Sequence, residues 1–331
     1  MGKHGRGDRN RLRNSSKKKA LEPGLARCKE KVVSRGGRFR VDSYCSIFGL
    51  SKQAFYKKLA NDKKKVMFET MVLQTVKEIR SILPYVGTRK LCQMLKEGSF
   101  GIPIEIGRDH LFNLLRDNGM LSHLRKRYSR TTNSKHKLPS YPNMLKEASI
   151  SRVNQVLVCD ITYILLSGGK FCYLFLVTDY YSRKILGYAL KTSLCSDGAI
   201  ETLKMALRTS KPSPGFIHHS DHGIQYCCKE YIALLQKNGA RISMTGKDHC
   251  YDNAVAERIN GILKQEFGLG KELLDFAAAK KLTDEGIKLY NTVRLHASLN
   301  YQTPNDMYDL NSTASASSED NTGAKHEANT Q

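Results

Sequence analysis

The chain has 331 residues, room for two or three compact domains, and carries 54 Lys plus Arg against 31 Asp plus Glu, a formal net charge of +23. That excess would strain a free compact protein by self-repulsion and suits a polyanionic partner; an acidic membrane surface is the poorer match, because no basic amphipathic helix with an aromatic face stands out. No apolar run approaches the roughly 20 residues that cross a bilayer, the charged N-terminus lacks a secretory core, and nine cysteines without a CxxC pair read as reduced thiols in a soluble intracellular protein.

Residues 1–40 read as a basic flexible arm; the first 65 residues hold 20 Lys/Arg against 5 Asp/Glu. Residues 41–66 have the spacing of a helix-turn-helix. A short helix stops at Gly49, Ser51 caps a second over Lys52–Leu59, and Lys52, Gln53, Lys57 and Lys58 would face nucleic acid. A plain pair of packed helices is the alternative. Residues 67–122 form a second helical module of the same kind. One helix over 67–82 is stopped by Pro84, another covers Arg89–Glu97, and a third covers Arg108–Asn118 before Gly119. Residues 123–149 are a basic linker, in which Leu124–Lys137 has six Lys/Arg and no acid. Arg125, Lys126 and Arg127 would lie along phosphates, unless the segment is a solvated spacer.

From about residue 150 the hydrophobic period changes to that of strands. Gln155–Leu165, Lys170–Val177 and Arg183–Leu190 are joined by short turns and predict an antiparallel meander. A helix (Asp197–Thr209), a strand (Gly215–His219), a helix (Gln225–Asn238), a strand (Ala240–Met244) and a helix (Asn253–Phe267) follow. The fold class is therefore mixed α/β, a five-stranded sheet flanked by helices, over residues 150–268. A helical extension occupies 269–308, with its helix at about Leu273–Arg294, and an acidic, Ser/Thr-rich tail at 309–331 is expected to be disordered.

Three carboxylates stand out by setting. Asp160 lies inside a β-branched strand, where a charge is costly unless it binds something. Asp221 ends the fourth strand, and Glu257 sits in the following helix. Sixty residues separate the aspartates and 35 separate Asp221 from Glu257. If the first and fourth strands are adjacent, the aspartates stand side by side and call for a cation. Hard oxygen donors select Mg²⁺ or Mn²⁺, and two such ions suit in-line phosphodiester chemistry.

The flanking segments carry a resemblance. They are NQVLVCDITYI (154–164), VTDYYSRKILGY (177–188), HHSDHGIQY (218–226), ISMTGKDHCYDNAVAERINGILKQE (242–266) and YNTVRLHASLNYQTP (290–304), preceded by YVGTRKLCQML and LLRDNGML. In this order they resemble the orfB-type transposases of the IS-three group of bacterial insertion sequences over roughly 41–308. The resemblance implies a ribonuclease-H-like, integrase-type DDE core, with Asp160, Asp221 and Glu257 as ligands of two metal ions. It also implies cleavage at the element's ends, joining to double-stranded target DNA, assembly as at least a dimer, and a place in the bacterial cytoplasm on the nucleoid. No membrane and no small-molecule substrate enter that picture. Lys264, seven residues after Glu257, returns to the same helix face and would contact DNA. Asn253, one turn before Glu257, would orient it or touch substrate, and Arg258 joins them or is a solvated charge. Leu157, His222 and Ile224 stand where the family usually has Trp, a basic residue and Ser.

A nuclease of the same fold without strand transfer, and a non-catalytic DNA-binding regulator, remain alternatives. Zinc is disfavoured at His218, His219, Cys227, Cys228, His249 and Cys250, because neighbouring residues point apart on strand and helix. Asp179 is expected to brace its turn with Arg183. Tyr290, Asn291, Arg294 and His296 are expected to divide between packing and DNA contact.

Overall fold

The computed structural model describes residues 41–122, 139–246 and 253–312. The arm at 1–40, the trio Arg125, Lys126 and Arg127, the residues His249 and Cys250, and residues 313–331 of the tail lie outside the described residues; residues 309–312, expected to begin a disordered tail, are instead helical. Residues up to Val72 and those from Leu73 onward form two compact units.

In the first unit, helix α1 (Val41–Phe48) stops at Gly49, whose φ of +63° lets the Leu50 amide turn back and donate to the Cys45 carbonyl at 2.8 Å. Ser51 accepts from the Ala54 amide at 3.1 Å and opens α2 (Lys52–Ile82). The sequence predicts two helices here. Residues 60–66, however, contain no Gly or Pro and are mostly good helix formers, so a single 31-residue helix runs through them. The boundary drawn at 66/67 falls inside that helix.

In the second unit, α3 (Thr88–Glu97) and α4 (Arg108–Asp117) pack together, burying Leu91, Met94 and Leu95 on one and Leu111, Leu114 and Leu115 on the other. Strands β1 (Val156–Leu166), β2 (Lys170–Asp179) and β3 (Ile185–Lys191) form the antiparallel meander. Helix α5 (Ser196–Ser210) leads to β4 (Ile217–Ser220), and α6 (Lys229–Lys237) leads to β5 (Arg241–Met244). Strand β4 pairs in parallel with β1, and β5 with β4, giving the order β3-β2-β1-β4-β5. With α7 (Ala254–Glu266) and α8 (Phe276–Thr292), this is the mixed five-stranded, helix-flanked sheet expected of a ribonuclease-H-like core. Helix α6 starts four residues later than its hydrophobic pattern suggests, because residues 223–228 are taken up by turns at Gly223–Tyr226 and Ile224–Cys227.

Alternation along β1 decides what each face of the sheet receives. Leu157, Cys159 and Ile161 join Phe175, Val177, Leu203 and Tyr231 in the larger core. Val156 and Val158 join Ile217 and Ala256 of α7 in the smaller one. Each fully buried aliphatic side chain contributes about 1.5–3 kcal/mol, so slipping β1 by one residue would forfeit several such terms at once. Gly187 on β3 is required by α5: a Cβ there would come within 2.3 Å of the Thr202 carbonyl oxygen and 2.8 Å of the Ala206 nitrogen.

The far edge of the sheet is closed by α8. Asn291 accepts from the Ile185 amide and donates to the Ile185 carbonyl, both at 3.0 Å, and so imitates an additional strand. Tyr290 donates to the Arg183 carbonyl. Beyond them, Arg294 departs from the expected DNA contact. It is 2% exposed, its Nε and Nη2 donate to Glu266 at 2.8 and 2.7 Å, and Lys90 of α3 reaches Glu266 at 2.8 Å. A guanidinium already matched by a carboxylate inside the protein has no free edge for phosphate. Burial would raise the Glu266 carboxyl, but the hydrogen bonds and charges of Arg294 and Lys90 outweigh it and hold it below the usual range. Because two cations here share one carboxylate, Glu266→Gln is expected to destabilise the protein by about 3 kcal/mol or more in chemical denaturation, the penalty of leaving buried charge uncompensated.

Candidate active site

The pairing of β1 with β4 sets the site. Val158 is opposite His219, two residues before Asp160 and Asp221 respectively, so the same register continued past the end of β4 would set the two aspartates side by side. Asp160 lies on the same face of β1 as Val156 and Val158, the face covered by α7. There it meets Asn260 of that helix, whose Nδ2 donates to Asp160 Oδ2 at 2.7 Å, while Asp160 Oδ1 accepts from the Ile161 amide at 2.9 Å. Asp221 Oδ1 accepts from the Gly223 amide at 3.1 Å; a Cβ at Gly223 would sit 3.0 Å from that oxygen. Glu257 is exposed on α7.

The electrostatics show how close these groups are. Burial first, and then the charge of Asp221, push Asp160 up to about 7, against the hydrogen bonds from Asn260 and Ile161 and with a smaller push from Glu257. Glu257 is raised by burial and by Asp221. Burial lowers Lys264, while the charge of Asp160 pulls it back. Three carboxylates and one lysine therefore share one field. The donor set fits a hard divalent cation: all its atoms are oxygens, and a cation would offset both the burial of Asp160 and the charge of Asp221 beside it. Among the described residues no three His, Cys, Asp or Glu side chains are drawn together closely enough to form a finished metal site.

Comparison with known proteins places the chain in a family. The integrase core domain matches residues 150–250, and a second integrase core domain description matches 238–304. The chain is 34% identical over 265 residues to the insertion element IS600 uncharacterized 31 kDa protein of Shigella sonnei, covering 78% of this chain and 95% of that one. It is 32% identical over 206 residues to the transposase for insertion sequence element IS904 of Lactococcus lactis subsp. lactis (strain IL1403), covering 59% and 80%. The chain belongs to the insertion-sequence transposases. Among solved structures, the HTLV-2 integrase catalytic core domain in complex with magnesium aligns at 17% identity with a TM-score of 0.38, over 47% of the transposase and 97% of that chain.

The other expected residues of the transposase fall into different places. Lys52, Gln53 and Lys57 are exposed on α2, with Lys52 in a surface ion pair to Asp42 at 2.7 Å. Arg258 is exposed on α7, and Lys264 is half-buried near Asp160. Asn253, expected to orient Glu257 or touch substrate, is 4% exposed and donates Nδ2 to the Cys159 carbonyl at 2.9 Å, which pins the start of α7 to β1 beside Asp160. Asn260 was not anticipated, although its position three residues after Glu257 and four before Lys264 puts it on the same helical stripe. Asp179 does brace its turn: its carboxylate accepts from the Ser182 amide (2.7 Å) and hydroxyl (2.6 Å) and from the Asn154 amide, while Arg183 donates its backbone amide to the Asp179 carbonyl at 3.0 Å and adds its charge.

The histidines beside the aspartates are structural. His218 Nε2 lies 2.8 Å from the Tyr231 hydroxyl and 2.9 Å from Cys159 Sγ, and His219 Nδ1 lies 2.8 Å from Ser243 Oγ. Burial, helped by His219, pushes His218 down to about 3, so it stays neutral behind the carboxylates. Leu157, where the family usually has Trp, is fully buried, and Ile224 is half exposed.

Asp160 makes the site dependent on pH in a definite direction. Its folded pKa lies above the ordinary carboxylate value, so what it contributes to stability is fully present only below the unfolded value near 4 and is lost as pH rises through about 7. With divalent ions removed by chelation, Asp160→Asn should therefore stabilise the transposase at pH 8, by roughly 2–4 kcal/mol at about 1.4 kcal/mol per pKa unit, and the gain should shrink toward pH 5. Thermal melts across that range check it. A gain that grows toward acid pH would contradict the placement of Asp160 beside Asp221.

Proposed function

We propose that this transposase cleaves DNA at the ends of its element and joins the freed 3′-hydroxyls to target DNA, using Asp160, Asp221 and Glu257 to hold two Mg²⁺ or Mn²⁺ ions. The observation that supports this is the charge of Asp221 bearing on Asp160, which together with burial raises Asp160 to about 7, at the point where β1 and β4 pair up to Val158 and His219, two residues before each aspartate. When bound, the ions supply activation of the attacking oxygen and stabilisation of the leaving one. Glu257 is exposed on α7 and has the rotatable length to complete the ligand set as substrate arrives.

The protein's own groups have separate tasks. Asn260 fixes the rotamer of Asp160 and, by hydrogen-bonding the charged form, favours its ionisation. Asn253 ties α7 to β1 and so holds Glu257 in register with the aspartates. Lys264, in the field of Asp160, would receive a phosphate next to the reacting one. Lys52, Gln53, Lys57, Arg125, Lys126 and Arg127 are proposed to hold duplex DNA through the N-terminal segments. At least two protomers assemble on the paired ends.

Joining of a pre-cut element end to plasmid DNA in Mg²⁺ tests the reading. Asp160→Asn, Asp221→Asn and Glu257→Gln should each reduce cleavage and joining by at least about 10³-fold, roughly 4 kcal/mol of barrier, with DNA affinity little changed. Cleavage without any joined product would make the protein a nuclease instead. Variants that move DNA as well as the parent would leave a DNA-binding regulator.

A further inference from the structure

A second site lies on the flank of α7. A cavity of about 200 Å³ is lined by Ala254, Val255, Arg258, Ile259 and Ile262 of that helix, by Arg183 from the turn before β3, and by His296 and Ser298 from the segment after α8. At 100° per residue, positions 254, 258 and 262 form a stripe adjacent to the one carrying Glu257, Asn260 and Lys264. The polar lining consists of two guanidiniums, an imidazole and a hydroxyl, and no carboxylate lines the cavity.

The polar groups are under-used. His296 is 7% exposed and its Nε2 has no hydrogen-bond partner; Nη1 of Arg183 is likewise buried without one. Four cations, Arg294, Lys90, Arg183 and Arg258, bear on His296, and with burial as the leading cause they push it down to about 2. Glu266 already matches Arg294 and Lys90. Arg183 stacks over Tyr180 at 4.7 Å and lies in the field of buried Asp179, but among the described residues neither it nor Arg258 has a carboxylate within ion-pair distance. Buried polar groups without partners are rare, and a cluster of them under a positive field marks a place for an anion.

We infer that this cavity is a phosphate site, in which Arg183, Arg258, His296 and Ser298 together take one phosphodiester of the DNA strand that passes Glu257. The inference rests on the reading of the chain as a DNA transposase and deepens it. Glu257 and Arg258 are consecutive residues, so a strand engaged at the carboxylates runs directly past the mouth of the cavity. The apolar wall of Val255, Ile259 and Ile262 suits a sugar edge beside the phosphate, and the site sets which backbone position lies at the carboxylates without reading sequence.

The test is the salt dependence of binding to a short DNA duplex by the full chain. Arg258→Gln should weaken binding about 3- to 10-fold at low salt and flatten the slope of log affinity against log salt by about one, while Arg258→Lys keeps the slope. Arg183→Gln should do the same. The double variant should lose about one phosphate in total, not two, because both arginines hold the same one. In the parent, a neutral methylphosphonate at one linkage should carry a penalty that disappears in either variant. Should Arg183→Gln fail to fold by circular dichroism, exposed Arg258 carries the comparison alone. Unchanged slopes in Arg258→Gln, additive losses in the double variant, or equal methylphosphonate penalties in all proteins would overturn the proposal. So would inorganic phosphate protecting the parent against heat while Arg258→Gln binds DNA normally. Absence of any salt-dependent duplex binding by the parent would instead defeat the DNA reading itself.

Discussion

The structure turns on a carboxylate in the middle of a strand that is buried on both faces. Strand β1 is hydrogen-bonded to β2 on one side and β4 on the other, and its neighbours on both faces are apolar. Placing Asp160 there is expensive, and the expense is increased by Asp221 at the end of β4. The surroundings limit it without removing it: Asn260 and the Ile161 amide each give one hydrogen bond, and the carboxyl still rises to about 7. A sheet that keeps such a pair gives up stability at that position.

Helix α7 is the element that makes this pair usable. One of its stripes, Asn253, Glu257, Asn260 and Lys264, addresses β1 and the aspartates. The next stripe, with Arg258 and the aliphatic residues between, faces the cavity shared with Arg183 and His296. Its C-terminal residue, Glu266, is gripped by Arg294 and by Lys90 from the helical module. A single helix is thus fixed at its start by an amide, at its end by buried charge, and along its length by Ala256 in the smaller core. Glu257 stands exposed on this helix, in the field of Asp221.

The residues after α8 show how a motif can mislead about the role of its members. Tyr290 and Asn291 close the edge of β3, Arg294 locks Glu266, and His296 lies buried in the field of Arg294, Lys90, Arg183 and Arg258. Their run of polar and aromatic types suggests surface contact with DNA. In the fold most of that polarity is spent internally, on backbone groups and on one carboxylate.

The sequence by itself determined the strand and helix pattern of the core, because alternation on β1–β3 and the apolar stripes of α5 and α7 are local properties with fixed periods. The turn chemistry at Gly49 and Ser51 was equally local. Asp160, Asp221 and Glu257 could be picked out because a charge among β-branched residues, a charge at a strand end and a charge on a helix are each visible in a short window. Other features needed the tertiary structure. The absence of a stop between 59 and 67 allowed one long helix, since nothing there opposes propagation. Asn253 and Arg294 look like DNA-facing groups in sequence, and only the packing of α7 on β1 and of Lys90 and Arg294 on Glu266 shows that their donors are already engaged. The cavity of Arg183, Arg258 and His296 joins positions up to 113 residues apart, and no local pattern records which unpaired groups the fold brings together.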